Sequence, residues 1–292
     1  MKQLLIISGK GGTGKTTIAG AFIRLSEARA FADCDVDAPN LHLMYPGMSS
    51  EMSDFYGMPT AVIYEDRCVG CDVCRESCRF DAIRETDGKW VVDPYACEGC
   101  GLCAALCPEG AVRMEPSVAG DLTLYRDNDR VFSSARLRMG SGTSGKLVSR
   151  VKRRMIEEAP RTDLAVIDGS PGIGCPVVAS MSGVHMALVV TEPSISGLSD
   201  LERIVRTGQH FGIAMAVCVN RWDINEKNTE RIERYCEKRG LLCLGRIPFD
   251  EAAGEAINRG ITLVDVDCPA GMAVRCLFDR VLRLLMRDSD GK

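Results

Sequence analysis

Runs of consecutive apolar residues alternate with amphipathic stretches over most of this chain. Leu4-Leu5-Ile6-Ile7 has no polar position, the pattern of a parallel strand covered on both faces. Residues 18–23 follow as a helix. Residues 28–32, 164–167, 185–191, 214–219 and 241–247 repeat the strand pattern, and 131–137 is a further candidate. Residues 147–158, 198–210, 225–239 and 272–286 read as helices, the first of them basic and amphipathic. Strand–helix alternation of this kind predicts a doubly wound parallel α/β sheet. The last helix carries Leu277, Val281, Leu284 and Leu285, as a helix packed on the sheet would. Residues 42–60 and 117–145 are the least patterned, and the glycine-rich 140–146 reads as a linker or mobile lid.

One stretch, residues 61–116, breaks the alternation. It carries eight cysteines in two sets, Cys68, Cys71, Cys74, Cys78 and Cys97, Cys100, Cys103, Cys107, each spaced C-x₂-C-x₂-C-x₃-C. Every member of the second set lies 29 residues after its counterpart, and Ala82-Ile83 recurs as Ala111-Val112, so the segment is an internal duplication. Three thiolates two apart can wrap three corners of an iron–sulfur cubane; the fourth iron needs a more distant cysteine. The spacing resembles that of two-cluster ferredoxins, in which this ligand comes from the other repeat. The resemblance implies one [4Fe–4S] cluster on Cys68, Cys71, Cys74 and Cys107 and another on Cys78, Cys97, Cys100 and Cys103. Structural zinc, the competing reading, takes two separated C-x₂-C knuckles and four ligands on one ion. Cys107 precedes Pro108, as in ferredoxins, whereas Cys78 precedes Arg79, a cation that would favour the reduced form of the cluster served by Cys78.

After the first strand comes Ser8-Gly9-Lys10-Gly11-Gly12-Thr13-Gly14-Lys15-Thr16-Thr17, and then the first helix. Strand, glycine loop and helix in that order form a phosphate-binding site. Glycines let successive N–H groups point at one anion, and the helix N-terminus adds its positive end. Lys15 supplies a cation for the β- and γ-phosphates, and the Thr16 hydroxyl can ligate Mg²⁺. Gly11, Gly12, Thr13, Gly14 and Thr17 complete the nucleotide-binding loop. Lys10, a second lysine right after the first glycine, marks a deviant loop. With it the chain resembles the ATPase family that contains MinD, ParA, the nitrogenase iron protein and the Mrp/ApbC iron–sulfur carriers. In that family the extra lysine reaches across a dimer to the partner's nucleotide, which the resemblance implies for Lys10.

The resemblance extends to two switches. Asp33-x-Asp35-x₄-Asn40-Leu41 is similar to the first: Asp33 closes a strand and Asp35 would orient the attacking water, while Asp37 has no assigned role. Asp168-x₂-Pro171-Gly172 is similar to the second, where Asp168 would hold the Mg²⁺ hydration shell and the turn would move when the γ-phosphate leaves. The family places adenine beside Asn220 and the loop from Pro248 to Asp250. Asn220 has an amide that can pair with an adenine edge.

Composition narrows the function. Net charge is −4, so no basic field favours nucleic acid. No run has the length of a membrane span. Fifteen cysteines in a chain that starts in its first strand without a signal peptide argue for metal chemistry in a reducing cytoplasm. Cys175 reads as a packed or inert thiol, and Cys218, Cys236, Cys243, Cys268 and Cys276 read as core residues. His42, His185 and His210 form no ligand spacing, and no hydrolytic triad is legible. The expected organisation is an ATPase domain in two parts, 1–60 and 117–292, with a two-cluster ferredoxin domain, 61–116, inserted after the second strand. The expected activity is ATP hydrolysis coupled through a dimer switch to electron transfer, with ATP, Mg²⁺ and two [4Fe–4S] clusters. The expected partners are a second copy or a paralogous ATPase and a redox protein, without nucleic acid or membrane. An iron–sulfur carrier and a MinD-like positioning ATPase are the alternatives. Two full ligand sets favour held clusters and hence electron transfer.

Overall fold

A computed structural model describes residues 1–287. In chain order its elements are β1 (Lys2–Ile7), α1 (Lys15–Ser26), β2 (Ala30–Asp33), β3 (Ser49–Tyr56), β4 (Thr60–Ile63), α2 (Val73–Glu76), β5 (Ile83–Thr86), β6 (Lys89–Val92), α3 (Leu102–Leu106), β7 (Val112–Glu115), β8 (Val118–Asp127) and β9 (Arg130–Leu137). Then follow α4 (Ser144–Glu158), β10 (Leu164–Asp168), α5 (Cys175–Met181), β11 (Met186–Thr191), α6 (Ile195–His210), β12 (Ala214–Asn220), α7 (Glu226–Lys238), β13 (Leu242–Ile247), α8 (Ala252–Asn258) and α9 (Pro269–Arg287). Residues 288–292, the tail of the expected second ATPase part, lie outside the described residues.

A nine-stranded sheet in the order β13-β12-β11-β1-β10-β2-β9-β8-β3 organises the chain. From β13 to β9 every pairing is parallel; β8 and β3 add an antiparallel edge. Strand alternation sends Leu4 and Ile6 to one face, against α1 and α9, and Leu5 and Ile7 to the other, against α4 to α7. On the first face Phe22 meets Phe278 edge-on at 5.2 Å. Leu277, Val281 and Leu285 of α9 are buried there, as a sheet-packed helix requires. Among the described residues no helix is long and apolar enough to cross a membrane.

Three expectations change. A strand, β3, precedes the cysteine-rich segment, which therefore leaves the chain after the third strand of the fold and not directly after the second. It joins the sheet through the β3–β8 pairing, and both strands fall in the stretches without a readable pattern. The reason is position: β3, Ser-Ser-Glu-Met-Ser-Asp-Phe-Tyr, is an edge strand exposed along nearly its whole length, so nothing selects apolar residues for it. Residues 144–146 are the first turn of α4 and not part of a lid. Cys276 and Cys175 are exposed, the latter not packed away at the start of α5, and Cys243 is half-buried, although Cys218, Cys236 and Cys268 are buried as expected.

Candidate functional site: a phosphate loop beside two four-thiol cavities

Parallel strands β1, β10 and β2 end side by side, with Ile6 beside Asp168 and Asp168 beside Asp33. The groups that follow them in sequence therefore meet at one sheet edge, where open α/β sheets bind ligands. The loop after β1 turns through Gly12 and Gly14, both left-handed (φ +78° and +88°). A Cβ on Gly14 would fall 2.3 Å from Asn220 Nδ2, so only glycine fits. Helix α1 then starts at Lys15, and among the described residues no side chain caps its first turn. Its free N–H groups and positive dipole end face the pocket.

The phosphate-sized end of the cleft holds about 260 Å³ and is lined by Gly11, Gly12, Gly14, Lys15, Thr16, Thr17 and Asp35 among others. It adjoins a second space of about 310 Å³ bordered by Asn220, Pro248, Phe249 and Asp250. Gly14, Thr17 and Arg221 belong to both. The two spaces together form one continuous cleft along the sheet edge.

Lys15 is the electrostatic centre. Its Nζ lies 2.7 Å from Asp168 Oδ1, 3.2 Å from Thr16 Oγ1 and 3.9 Å from Asp35 Oδ2. Burial alone would lower its pKa, but Asp168, Asp33 and Asp35 outweigh burial and hold it above its ordinary value. Asp168 Oδ2 is fully buried and, among the described residues, has no hydrogen-bond partner. Such an orphaned carboxylate oxygen fits an acceptor for a hydrated cation.

Asp33 is fully buried and accepts the N–H groups of Asp35, Asn40 and Leu41, each at 3.0 Å. It thereby folds residues 35–41 into a compact loop and presents Asp35 to the pocket. Burial, aided by the charge of Asp168, pushes the Asp33 carboxyl up to about 7. Burial also raises Asp35, against the pull of Lys15.

The turn after β10 is tied to both neighbours. Gly169 N–H donates to Ile6 O at 2.8 Å and Gly172 N–H to Ser8 O at 3.0 Å, while the Ser170 hydroxyl donates to Cys34 O. Pro171 and the left-handed Gly172 form the bend between these anchors and α5. The turn is thus hydrogen-bonded directly to the end of β1 and to the first residue of the phosphate loop.

Three residues sit differently from a simple reading. Lys10 Nζ points away from the pocket, to Glu192 Oε1 at 2.5 Å and Ser196 Oγ at 3.1 Å. Asn220 borders the base end, but its Nδ2 donates to Thr13 O at 2.8 Å and its Oδ1 accepts the Arg221 N–H. The amide thus braces the phosphate loop instead of offering both its groups to an adenine edge. Asp250 lines the second space, and its carboxylate accepts the N–H groups of Ala252 and Ala270, capping two helix starts. Arg221, which sequence reasoning missed, has a left-handed backbone (φ 54°) and joins the two ends of the cleft. Its only signal is its place directly after the strand-ending Asn220.

The cysteine-rich segment forms two small sheets, β4–β7 and β5–β6. Its duplication is structural: left-handed Gly70, Asp72 and Asp81 recur 29 residues on as left-handed Gly99, Gly101 and Gly110. One cavity is lined by Cys68, Cys71, Cys74 and Cys107, with Trp90 and Val112. The other is lined by Cys78, Cys97, Cys100 and Cys103, with Phe80 and Met114. Each cavity thus draws three cysteines from one repeat and one from the other. All eight are free thiols, and Ala111 N–H donates to Cys107 Sγ at 3.2 Å. Among the described residues no group of three or more His, Cys, Asp or Glu converges for a single metal ion. The four thiols of each set line one common space. Arg79 is exposed, and Cys78 keeps its place beside the other three.

Comparison with known proteins agrees with this geometry. The chain is 29% identical over 290 residues to the uncharacterized protein MJ0578 of Methanocaldococcus jannaschii, covering 96% of each. It is 23% identical over 302 residues to the iron-sulfur cluster carrier protein of Pyrococcus furiosus, covering 97% of this chain and 86% of that one. A 66-residue stretch, 22% of the chain, is 42% identical to 44% of the uncharacterized ferredoxin MJ0155 of M. jannaschii. The fold is that of the P. furiosus cell division ATPase MinD, with a TM-score of 0.58 at 20% identity over 97% and 99% of the two chains. Residues 4–264 match the family described as the CobQ/CobB/MinD/ParA nucleotide binding domain. With its phosphate loop at the head of α1 and both acidic strand ends beside it, this chain belongs to the CobQ/CobB/MinD/ParA nucleotide-binding family.

Proposed function

We propose that this chain is an ATP-hydrolysing switch that governs electron flow through two [4Fe–4S] clusters. One observation carries the reading. Eight thiols segregate into two four-cysteine cavities, in a segment hung from the sheet that bears the phosphate loop. The chemistry of both sites fits the groups they would hold. Cys68, Cys71, Cys74 and Cys107 would bind one cluster, and Cys78, Cys97, Cys100 and Cys103 the other. When bound, the clusters supply reversible one-electron storage.

At the cleft, loop N–H groups and Lys15 bind the β- and γ-phosphates of ATP. Thr16 would ligate Mg²⁺, and the unpartnered Asp168 oxygen would accept a hydrogen bond from its water shell. Asp35 orients the water that attacks the γ-phosphorus; the bond to the bridging oxygen breaks, leaving ADP and phosphate. Asn220, Pro248 and Asp250 bound the adenine end. Phosphate oxygens compete with Asp168 for the Lys15 ammonium, and the 169–174 turn, which hangs on Ile6 and Ser8, moves with the outcome. Lys10, released from Glu192, crosses to the nucleotide of a second copy or a paralogous ATPase. A redox protein exchanges electrons with the clusters. Fifteen unpaired cysteines are in keeping with a reducing compartment, the cytoplasm.

The test uses anaerobically isolated protein. EPR of the reduced form is expected to show two clusters whose spectrum changes with nucleotide, and Asp35→Ala is expected to lower ATP turnover at least about tenfold. Colourless, iron-free protein, or spectra indifferent to nucleotide, would sink the proposal. Similarity to a cluster carrier over most of the chain favours one second reading, delivery of clusters to other proteins. Rapid transfer of iron to an apo-ferredoxin selects that reading; retention selects electron transfer.

A further inference from the structure

The two thiol cavities differ in their surroundings. Both are walled by residues of the cysteine-rich segment itself; what differs is the loop beside the second. The loop carrying Cys97 faces the nucleotide-binding sheet. A Cβ on Gly99 would fall 2.4 Å from Pro59 O, in the connection from β3. Cys97 and Glu98 line a polar crevice whose far wall is residues 140–143. The Tyr95 ring stands 3.1 Å from where a Gly140 Cβ would be, and Glu98 Oε2 stands 3.9 Å from where a Gly142 Cβ would be.

Residues 140–143 lead directly into α4, whose first turn closes with Leu147 N–H on Thr143 O. At Gly145 the helix is pressed against α5: a Cβ there would meet Cys175 Cβ at 3.2 Å and Cys175 O at 3.4 Å. Cys175 opens α5, directly after the turn anchored on Ser8. Further along, buried Lys152 donates to Ala179 O at 3.3 Å and Ser180 O at 2.7 Å, at the other end of α5. Helix α4 is therefore held against α5 at two places. Gly142, just before its first turn, lies beside Glu98, which is next in sequence to Cys97.

We propose that the head of α4 carries the nucleotide state to the Cys78, Cys97, Cys100 and Cys103 site alone, with Glu98 as the positioning residue. The inference rests on the function proposed above. When the 169–174 turn moves, Cys175 moves. Gly145 has no slack, so the α4 N-terminus follows. The separation between the positive end of α4 and the Glu98 carboxylate then changes. Net charge beside a cluster is one of the quantities that set its potential. The other thiol set, with no such neighbour, does not feel the switch.

The test is a potentiometric EPR titration of the iron-loaded protein with and without a non-hydrolysable ATP analogue. Cys71→Ser and Cys100→Ser identify which signal belongs to which set. Nucleotide should shift the signal that Cys100→Ser alters and leave the other in place. Glu98→Gln should raise the potential of that same signal and abolish its nucleotide shift. A shift confined to the signal altered by Cys71→Ser, or an undiminished shift in Glu98→Gln, overturns the inference while leaving the proposed function intact. No shift in either signal fails the proposed function itself. Should Glu98→Gln not load iron, hydrogen exchange of the wild-type protein decides. Amides of residues 142–148 should change protection on nucleotide binding, and unchanged exchange there overturns the inference.

Discussion

Lys15 Nζ and Asp168 Oδ1 lie 2.7 Å apart, and both side chains are almost wholly removed from solvent. They come from positions 153 residues apart, joined because β1 and β10 are neighbouring parallel strands. The lysine that would hold a γ-phosphate is thus held by the carboxylate that heads the second switch. In the function proposed above, phosphate and Asp168 would compete for one ammonium.

The first prediction concerns that ammonium. Lys15→Ala leaves Asp168 and Asp33 buried without their cation. Breaking a buried pair from one side costs about 3–5 kcal/mol. Urea unfolding should show a loss of that order, and titration with a fluorescent ATP analogue should show no binding. The raised Lys15 pKa keeps this contribution fully present at neutral pH and removes it only in strong alkali, above the ordinary lysine value. A Lys15→Ala protein as stable as wild type contradicts the geometry.

Asp33 gives the stability a pH slope. Its carboxyl is raised from 3.8 when unfolded to about 7 when folded. Between those values the folded chain binds a proton that the unfolded chain does not, so this group's contribution falls as pH rises through that window and is level above it. Asp33→Asn should remove the fall. The measurement is the urea midpoint at pH 5 and pH 8 in both proteins; an unchanged difference between the two pH values refutes it.

The cross-repeat cavities predict how single cysteines fail. Cys107→Ala should disturb the same EPR signal as Cys71→Ala and spare the signal altered by Cys100→Ala, although Cys107 is nearer in sequence to Cys100. Iron should drop from about eight to about four atoms per chain. If Cys107→Ala instead copies Cys100→Ala, each repeat holds its own cluster and the pairing is wrong.

The Lys10–Glu192 contact is partly exposed, so Glu192→Ala should change stability by less than about 1 kcal/mol. It should nonetheless free Lys10 to reach a partner. ATP-dependent self-association, followed by light scattering, is expected to appear at lower protein concentration than in wild type. Association weaker than or equal to wild type would show that Glu192 does not restrain Lys10.

Much of the site is legible in the chain because its chemistry is contiguous. Phosphate binding needs glycines, a lysine and a threonine within one turn, and a cubane needs thiols two residues apart. Asp33 and Asp168 are readable as the acidic ends of apolar strands. Other features depend on residues that meet only after folding. The Asn220 amide looks free in the sequence, yet it closes on Thr13 O because β12 ends beside the loop. Lys152 looks like one more cation on a solvated helix face; packing of α4 on α5 turns it inward onto carbonyls, where burial lowers its pKa.

By itself, then, the sequence determined the alternating α/β framework, the phosphate loop, the two acidic strand ends and the duplicated cysteine sets. Each is specified by residue type at short, fixed spacing. Tertiary structure alone decided that β3 precedes the cysteine-rich segment, that Lys15 is shared with Asp168, that Lys10 is held by Glu192, and that the Cys97–Glu98 loop faces the residues leading into α4. An exposed edge strand has no hydrophobic period to betray it. Contacts between residues a hundred or more positions apart are set by strand order, which local spacing does not encode.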